Sequence, residues 1–405
     1  MSSSGPRLSP AQLRAALDIR DLCDPAQGPH AIQILTDRAV TALSRAWSCE
    51  VRWCRGPKIV PAADNYDRLG YAADAITREA RYTRYVSARR MLRSHSTAMI
   101  PPALRRLARR PGDDVLLACP GIVYRRDAID WQHSGTPHQL DLWRITSRPM
   151  TEADLDEMIS CLLAAIVPGL PYRQQARTHP YTEHGRQIDV RHDGHWVEVW
   201  ECGLAHPGVL AAAGLAAAGL AGRGGLALGM GLDRLLMLVK GIPDIRLLRS
   251  ADPRIAGQMR DLAAWQPVSS MPPVTRDLSV AVGAEEDEET LGDRVREALG
   301  PDAPCVEEVR VLSATPYDRL PGPAARRLGA RPGQKNLLLR VVLRDLEKTL
   351  TSEAANALRD RIYLAIHRGT EYQWAHRAAP PGAALAGGRG DRVSATAAAR
   401  DNFVA

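Results

Sequence analysis

The sequence contains little phenylalanine and little lysine, and it lacks the patterns of several common protein classes. Phenylalanine occurs once, at Phe403, and lysine four times among 53 basic residues. The seven cysteines form no CxxC pair and no Cys/His cluster with zinc spacing, which predicts reduced thiols in a cytoplasmic protein. The first residues have no signal-peptide core, and the most apolar stretch, 209–222, is too short to span a bilayer. We therefore expect no membrane partner.

Length and composition indicate a folded protein of two to three domains. The chain has 405 residues, of which 45% are apolar and 24% charged, and these values exclude a wholly disordered or fibrous protein. The net charge of +7 permits a nucleic-acid partner but does not require one. Low-complexity sequence at 1–9 and 376–405 predicts unfolded ends, and the proline-rich segment 266–273 predicts a linker.

The segment after this linker has the pattern of a small mixed domain. Alternating apolar runs predict strands, and periodic apolar positions with capping residues predict helices. The predicted order is β-α-β-β-α-β, at 277–282, 290–299, 306–312, 336–343, 351–367 and 370–375. That order is the split βαβ, ferredoxin-like plan.

The larger part of the chain, 10–262, mixes helices and strands without a regular repeat. Its predicted strands 186–190 and 196–200 are joined by Asp193-Gly194, which is a strong hairpin signal. Strands linked by hairpins favour an antiparallel sheet over a doubly wound parallel one. We therefore expect an α+β fold with an antiparallel sheet flanked by helices.

Residues 123–143 predict a polar floor built by two strands and a loop. Arg125 and Asp127 are two apart on the first predicted strand, and Gln139 and Asp141 are two apart on the second, so each pair faces one side. Paired across the loop, these residues suit a zwitterionic ligand that carries phosphates. The alternative is a solvent-facing hairpin with ion pairs.

Residues 224–241 predict a glycine-rich strand that runs directly into a helix. Gly229 and Gly231 allow a ligand to approach the backbone, and Arg234 lies in the first helical turn, where anions are favoured. The guanidinium fork of arginine suits phosphate. The segment matches neither the Rossmann fingerprint nor a P-loop, and the alternative is tight packing of the helix on the strand.

These two segments resemble motifs 2 and 3 of the class II aminoacyl-tRNA synthetases. More narrowly, the chain is similar to the catalytic subunit of phenylalanyl-tRNA synthetase, and further matching segments occur in family order. They are motif 1 at 30–33, 56–57 and 65–67, then LRSHST at 92–97, motif 2 at 121–141, the turn region 196–207, and motif 3 with GIPDIR at 229–246.

The resemblance also implies a domain division. It implies an N-terminal extension at 1–27, a class II synthetase-like catalytic domain at 28–265, a ferredoxin-fold anticodon-binding-like domain at 266–375 and a disordered tail at 376–405.

The resemblance assigns the candidate residues to a ligase reaction that uses ATP and Mg²⁺. It implies that Arg125 holds the amino-acid carboxylate and the α-phosphate, that Arg234 holds the γ-phosphate, and that Asp127 faces adenine. Gly229 and Gly231 belong to the ATP side of the site, and Ala227 lies with Gly229 beside the adenylate. The substrate amino group and carboxylate are implied to contact His95, Thr97, Gln139 and Asp141. Glu183 and Glu198 are the candidates for Mg²⁺ contact.

The sequence departs from the family in the amino-acid pocket. His179-Pro180-Tyr181 stands where phenylalanine-specific enzymes have Phe-Pro-Phe, and Trp200-Glu201 replaces Leu-Gly. Asp141 replaces a glutamate. Buried hydrogen-bonding groups reject ligands that cannot satisfy them. We therefore expect a substrate other than phenylalanine, either a polar or hydroxylated aromatic or a basic amino acid paired with Glu201. The alternative is that His179 and Tyr181 stack on phenylalanine.

The implied acceptor is tRNA, and the expected assembly is a monomer or a homodimer. A basic run that begins at Arg319 supplies the RNA-binding candidates, which are Arg319, Arg326, Arg327, Arg331 and Lys335. An alternative remains open at this point, in which a tRNA-independent ligase transfers the activated acyl group to a small molecule, a peptide or a carrier protein.

Overall fold

The structure is a computed structural model that describes residues 7–79, 82–215, 224–268 and 271–373. The elements of its larger part are α1 Pro10–Asp18, α2 Ala31–Trp47, β1 Glu50–Trp53, β2 Ile59–Pro61, α3 Ala62–Asn65, β3 Tyr85–Ser87, β4 Arg90–Leu92, α4 Ile100–Arg109, β5 Asp114–Ile122, β6 His138–Thr146, α5 Glu152–Ile166, β7 Tyr172–Ala176, β8 Thr182–His192, β9 His195–Ala205, α6 Pro207–Ala212, β10 Gly224–Gly231, α7 Leu232–Lys240 and α8 Pro253–Gln258. The C-terminal part contains β11 Val274–Gly283, α9 Glu288–Leu299, β12 Val306–Pro316, α10 Gly322–Leu328, β13 Gln334–Leu343 and α11 Ser352–Ile366.

A seven-stranded sheet forms the centre of the larger part. Its strand order is β1-β5-β6-β10-β9-β8-β7, with β1 parallel to β5 and every other pair antiparallel. The turn between β8 and β9 has Asp193 and Gly194 at φ angles of 48° and 81°, the left-handed conformation that a tight hairpin needs. The α+β fold with a mostly antiparallel sheet is therefore confirmed.

The two faces of this sheet are covered by different helices. Leu140 and Leu142 of β6 point into the core formed with α2, α5 and α7, whereas Trp143 and Ile145 belong to the core formed with α4 and α6. Because side chains alternate along a strand, Asp141 lies on the same face as Trp143. The polar residues of β6 therefore face the α4 side of the sheet.

The C-terminal part packs two helices on a three-stranded antiparallel sheet. The strand order is β11-β13-β12, and Val295 of α9 and Ile362 of α11 are buried in its apolar core. The five predicted elements between 277 and 367 form within a few residues of their expected bounds.

The prediction of a strand at 370–375 is wrong where the structure describes it. Residues 370–373 form no strand, and 374 and 375 lie outside the described residues. The Thr370 amide donates to the Gly329 carbonyl (3.1 Å), at the end of α10, so this backbone is bonded away from the sheet.

The predicted strand carrying Arg125 and Asp127 is also shorter than expected. Strand β5 ends at Ile122, and residues 123–137 form a loop before β6. The Val123 amide still donates to the Pro137 carbonyl (2.8 Å). Proline has no N–H to return a bond, so the ladder does not continue. Arg125 and Asp127 therefore lie on this loop, which we call the motif 2 loop.

The N-terminal helix α1 packs against Tyr124, near the start of the motif 2 loop. The Tyr124 hydroxyl donates to the Ala16 carbonyl (3.0 Å), and Leu13 and Leu17 pack against buried Tyr124. The proposed tail at 376–405 lies outside the described residues. Within the described ranges, no helix is long and apolar enough to cross a membrane.

Candidate active site

A cavity of about 220 Å³ lies on the α4 side of the central sheet. Its floor is formed by β6, β9 and β10, and the motif 2 loop closes one side. Most residues predicted for ATP, amino acid or metal line it, namely His95, Thr97, Arg125, Asp127, Gln139, Asp141, His179, Tyr181, Glu198, Glu201, Ala227, Gly229, Gly231 and Arg234. Glu183 and the five RNA-binding candidates do not.

Strand register creates the open floor of the cavity. Glu201, Gly229 and Asp141 are direct neighbours across β9, β10 and β6, so two carboxylates flank a residue without a side chain. A Cβ added at Gly229 would lie 3.7 Å from the Asp141 carboxylate, and one at Gly231 would meet nothing within 4 Å. The glycines therefore leave space above the sheet that a ligand can occupy.

Two arginines face this cavity, and neither has a carboxylate partner in the part of the chain that the structure describes. Arg125 is anchored because its Nε donates to the Ser94 carbonyl (2.8 Å). The Nε of Arg234, in the first turn of α7, is buried and lacks a hydrogen-bond partner in the described part of the chain. A buried N–H without a partner is costly, and two positive charges face one cavity, so the pair forms a site suited to an anion.

His95 is a half-buried imidazole beside Arg125. Burial, together with the charge of Arg125, lowers the pKa of His95 to about 3. The Asn65 side-chain amide lies 3.2 Å from Nε2, while Nδ1 is buried and has no partner among the described residues. If the amide donates to Nε2, the proton is on Nδ1. His95 then offers one unused donor next to the cavity.

Asp141 is a fully buried carboxylate on the cavity floor. Burial raises its pKa to about 6, although the Ser96 and Thr97 hydroxyls hydrogen-bond to it and oppose that shift. Its charge is therefore sensitive to pH in the range just below neutrality. A cationic group of a ligand would stabilise the charged form of this carboxylate, which burial has deprived of solvent.

Glu201 already has two partners, the charged Arg177 and the hydrogen-bonding His179. Arg177 and His179 each approach a different Glu201 oxygen at 2.6 Å. Burial alone would raise the pKa of Glu201, but the His179 hydrogen bond and the charge of Arg177 outweigh it and the pKa is lowered. The rings of His179 and Tyr181 stack at 5.1 Å between centroids. His179, Tyr181 and Glu201, three of the departures from the family pattern, are thus connected through contacts made by His179.

Acidic residues also line the side of the cavity nearer Arg234. Burial raises the pKa of Asp127 and of Glu198, and Glu201 adds to the shift at Glu198. Glu183 is half-exposed, with its nearest recorded basic partner His206 at 3.9 Å. The described residues contain no group of three or more His, Cys, Asp or Glu side chains that could hold a metal.

Two aromatic residues that the sequence analysis missed lie beside Tyr181: Tyr71 lines the cavity, and Trp143 is buried next to it. Tyr71 and Trp143 each lie 6.2 Å from Tyr181 between ring centroids, and Tyr71 also stacks on His95. Trp143 continues the two-residue period of Gln139 and Asp141, so the strand pattern contains its signal. Tyr71 comes from an irregular segment, and no local pattern predicts its position.

The RNA-binding candidates lie together at one end of the C-terminal part. Arg319, Arg326, Arg327 and Arg331 are exposed. Lys335 is half-buried, and its Nζ donates to the Glu286 carbonyl (2.8 Å). The four arginines are therefore accessible to solvent, whereas the Lys335 ammonium is already hydrogen-bonded within the protein.

The family model of the class II tRNA synthetase core domain (F) matches residues 26–259. Similar curated proteins include the phenylalanine–tRNA ligase alpha subunits of Prochlorococcus marinus (strain MIT 9313), 31% identical over 243 residues, and Nostoc punctiforme, 32% identical over 204 residues. These matches cover 59% and 50% of this chain and 69% and 59% of the respective relatives.

Two further comparisons extend these findings. The chloroplastic/mitochondrial phenylalanine–tRNA ligase of Arabidopsis thaliana is 28% identical over 318 residues, covering 75% of this chain and 68% of that protein. Among solved structures, a pyrrolysyl tRNA synthetase from Desulfitobacterium hafniense aligns with a TM-score of 0.41 at 17% identity, over 55% of this chain and 74% of that one.

Proposed function

The chain belongs to the class II tRNA synthetase core family, and we propose that it activates an amino acid with ATP and transfers it to tRNA. In the first step, an oxygen of the amino-acid carboxylate bonds to the α-phosphorus, the bond to the β-phosphate oxygen breaks, and pyrophosphate leaves. The observation that carries this proposal is that Arg125 and Arg234 line one cavity and that neither has a carboxylate partner among the described residues.

The chemistry of the cavity supports these roles. The transition state spreads negative charge over the transferred phosphoryl centre, and preorganised guanidinium groups stabilise such charge. We assign Arg125 to the α-phosphate and substrate carboxylate, Arg234 to the γ-phosphate and Asp127 to adenine. His95, Thr97, Gln139 and Asp141 would surround the amino acid, and Ala227, Gly229 and Gly231 would leave room for the adenylate.

Mg²⁺ would enter with ATP as part of the substrate. This ion usually keeps several waters and uses one or two carboxylates together with substrate phosphates, so a preformed cluster is not required. Glu198 lines the cavity and is the better-supported of the two predicted contacts. Glu183 lies outside it and would need the substrate to reach it.

The amino-acid pocket supports a substrate other than phenylalanine. Glu201 is compensated by Arg177 and His179, so it does not offer a free charge to a basic amino acid. The His179 ring and the Tyr181 hydroxyl instead make the pocket wall polar. We therefore favour a polar or hydroxylated aromatic amino acid over a basic one.

Asp141 makes substrate binding depend on pH. With a pKa of about 6, it is ionised above that pH and protonated below it. We expect the KM for the amino acid to rise as pH falls below about 6, approaching tenfold per pH unit, because the substrate ammonium loses its counter-charge.

The measurement is amino-acid-dependent pyrophosphate exchange between about pH 5 and about pH 8. The Asp141→Asn variant should bind the amino acid weakly at every pH, and its KM should no longer rise as the pH falls. Asp277→Asn, at an exposed aspartate that pairs with Arg340, serves as the control. A wild-type KM that stays constant across this range would contradict the role of Asp141.

The acceptor is tested with bulk tRNA in a salt series. Each lost phosphate contact lowers the slope of log affinity against log salt by about one. The double variant Arg326→Ala/Arg327→Ala should therefore reduce this slope by about two. Arg340→Ala, at the exposed pair with Asp277, is the control. Filter binding supplies the data, and adenylation without tRNA affinity would point to a tRNA-independent ligase.

A further inference from the structure

Helix α9 of the C-terminal part lies directly on the motif 2 loop. Arg296 of α9 donates from both terminal nitrogens, to the carbonyls of Asp127 and Ala128. A Cβ added at Gly292 would approach the Asp127 carbonyl to 2.5 Å, closer than any real contact. The helix therefore reaches the loop backbone because position 292 has no side chain.

A buried carboxylate strengthens the same contact. Asp293 is fully buried and pairs with Arg84 and with Arg126, whose Nη1 lies 3.1 Å from Oδ2. Arg84 also donates to the Arg125 carbonyl (3.3 Å). Breaking a buried ion pair from one side leaves an uncompensated charge, so the geometry of these groups is strongly constrained.

One residue of the loop is part of the C-terminal core. Ile129 is 7% exposed and belongs to the same apolar cluster as Leu278 and Val295. Its carbonyl accepts a hydrogen bond from the Val309 amide of β12 (2.9 Å). The motif 2 loop is thus held in two ways: by polar contacts from α9, and by burial of Ile129 in the apolar core of the C-terminal part.

The opposite side of the loop forms the wall of the candidate active site. Arg125, Asp127 and His133 line the cavity. The Arg125 amide donates to the Gly135 carbonyl (3.0 Å), which closes the loop on itself. A shift of the backbone at Asp127 and Ala128 would therefore move the groups assigned to the α-phosphate and adenine.

We propose that α9 is a positioning element of the ATP site, in which Asp293 and Arg296 hold the motif 2 loop in the conformation that binds ATP. The assignment of ATP as ligand rests on the proposed function, whereas the hold on the loop does not. Asp293 and Arg296 are positioning residues, because they act through the loop and do not line the cavity.

The test uses the full chain with Asp293→Asn or Arg296→Ala. Hydrogen exchange followed by mass spectrometry reports the amides of 123–137, and calorimetry reports the affinity for ATP with Mg²⁺. We expect faster exchange in the loop and affinity for ATP weaker by about tenfold or more, because small misplacements of binding groups are costly. The KM for ATP should rise in parallel, and the KM for the amino acid should rise as well, because Arg125 lies on the same loop and is also assigned to the substrate carboxylate.

Matched variants separate positioning from general stability. Asp277→Asn removes an exposed ion pair with Arg340 between β11 and β13 of the C-terminal part and should leave both measurements unchanged. Arg296→Lys keeps the charge but not the two-carbonyl fork, and should give an intermediate result. It also provides a second variant if Asp293→Asn fails to fold.

The outcomes distinguish this inference from the proposed function. Unchanged loop exchange in the folded variants, or faster exchange with undiminished affinity for ATP, would overturn the inference. A wild-type chain that does not bind ATP would refute the proposed function and the ATP-positioning role. In that case faster loop exchange in the variants would still identify α9 as the element that orders the loop.

Discussion

Replacing Arg125 or Arg234 with alanine is expected to lower the rate of amino-acid-dependent pyrophosphate exchange about 10²- to 10³-fold, or about 3–4 kcal/mol of transition-state stabilisation. Both guanidinium groups line one cavity, and neither has a carboxylate partner within the described ranges. Their charge is therefore available to a ligand. The loss should fall mainly on kcat, since the charge they stabilise develops in the transition state.

Lysine variants of the two arginines, and a control at an arginine outside the cavity, make this prediction more specific. Arg125→Lys and Arg234→Lys keep the charge but lose the fork that binds two oxygens, so each should recover only part of the rate. Arg191→Ala changes an exposed arginine that does not line the cavity and should have the wild-type rate. Full activity in Arg125→Ala or Arg234→Ala would remove the basis of the proposed reaction.

The second large effect is expected in the amino-acid pocket. The triple variant His179→Phe/Tyr181→Phe/Glu201→Gly should shift the ratio of kcat/KM for phenylalanine against the best wild-type substrate by 10² or more, up to about 10⁴. The wild-type pocket contains a hydrogen-bonded histidine–carboxylate pair. Binding an apolar ring would remove the remaining solvent from this polar pair, which costs free energy, and the triple variant removes the pair.

Single variants identify which group discriminates. Tyr181→Phe removes only the hydroxyl, and a substrate that bonds to this hydroxyl should lose affinity in that variant alone. His184→Phe is a matched control, because this histidine is exposed, pairs with Glu152 and does not line the cavity. A wild-type enzyme that already prefers phenylalanine, with the triple variant unchanged, would show that His179 and Tyr181 simply stack on that ring.

Local sequence patterns correctly predicted which strands and helices carry the site, but they were less accurate about where those elements end. The glycine-rich strand and the following helix appear as Gly224–Gly231 and Leu232–Lys240, since apolar periodicity and a helix start are local signals. The alternation that paired Gln139 with Asp141 is also correct. The extension of the preceding strand to Asp127 is wrong, because its end depends on Pro137 across the hairpin.

Contacts between distant segments could not be predicted in this way. Arg296 and Asp127 are 169 residues apart, and no periodicity links them. The position of Tyr71 beside Tyr181 likewise depends on how an irregular segment folds over the sheet. The failure of the predicted strand to form at 370–373 has the same origin, because Thr370 bonds to Gly329 instead of a neighbouring strand.

The most direct test of the account is pyrophosphate exchange by the purified chain with each of the twenty standard amino acids. We predict that labelled pyrophosphate enters ATP only when an amino acid is present and that one polar or hydroxylated aromatic amino acid is clearly preferred. Arg234→Ala should lower the rate about 10²- to 10³-fold. No exchange with any amino acid, or equal exchange in Arg234→Ala, would contradict the central claim that the two arginines act on one bound ATP.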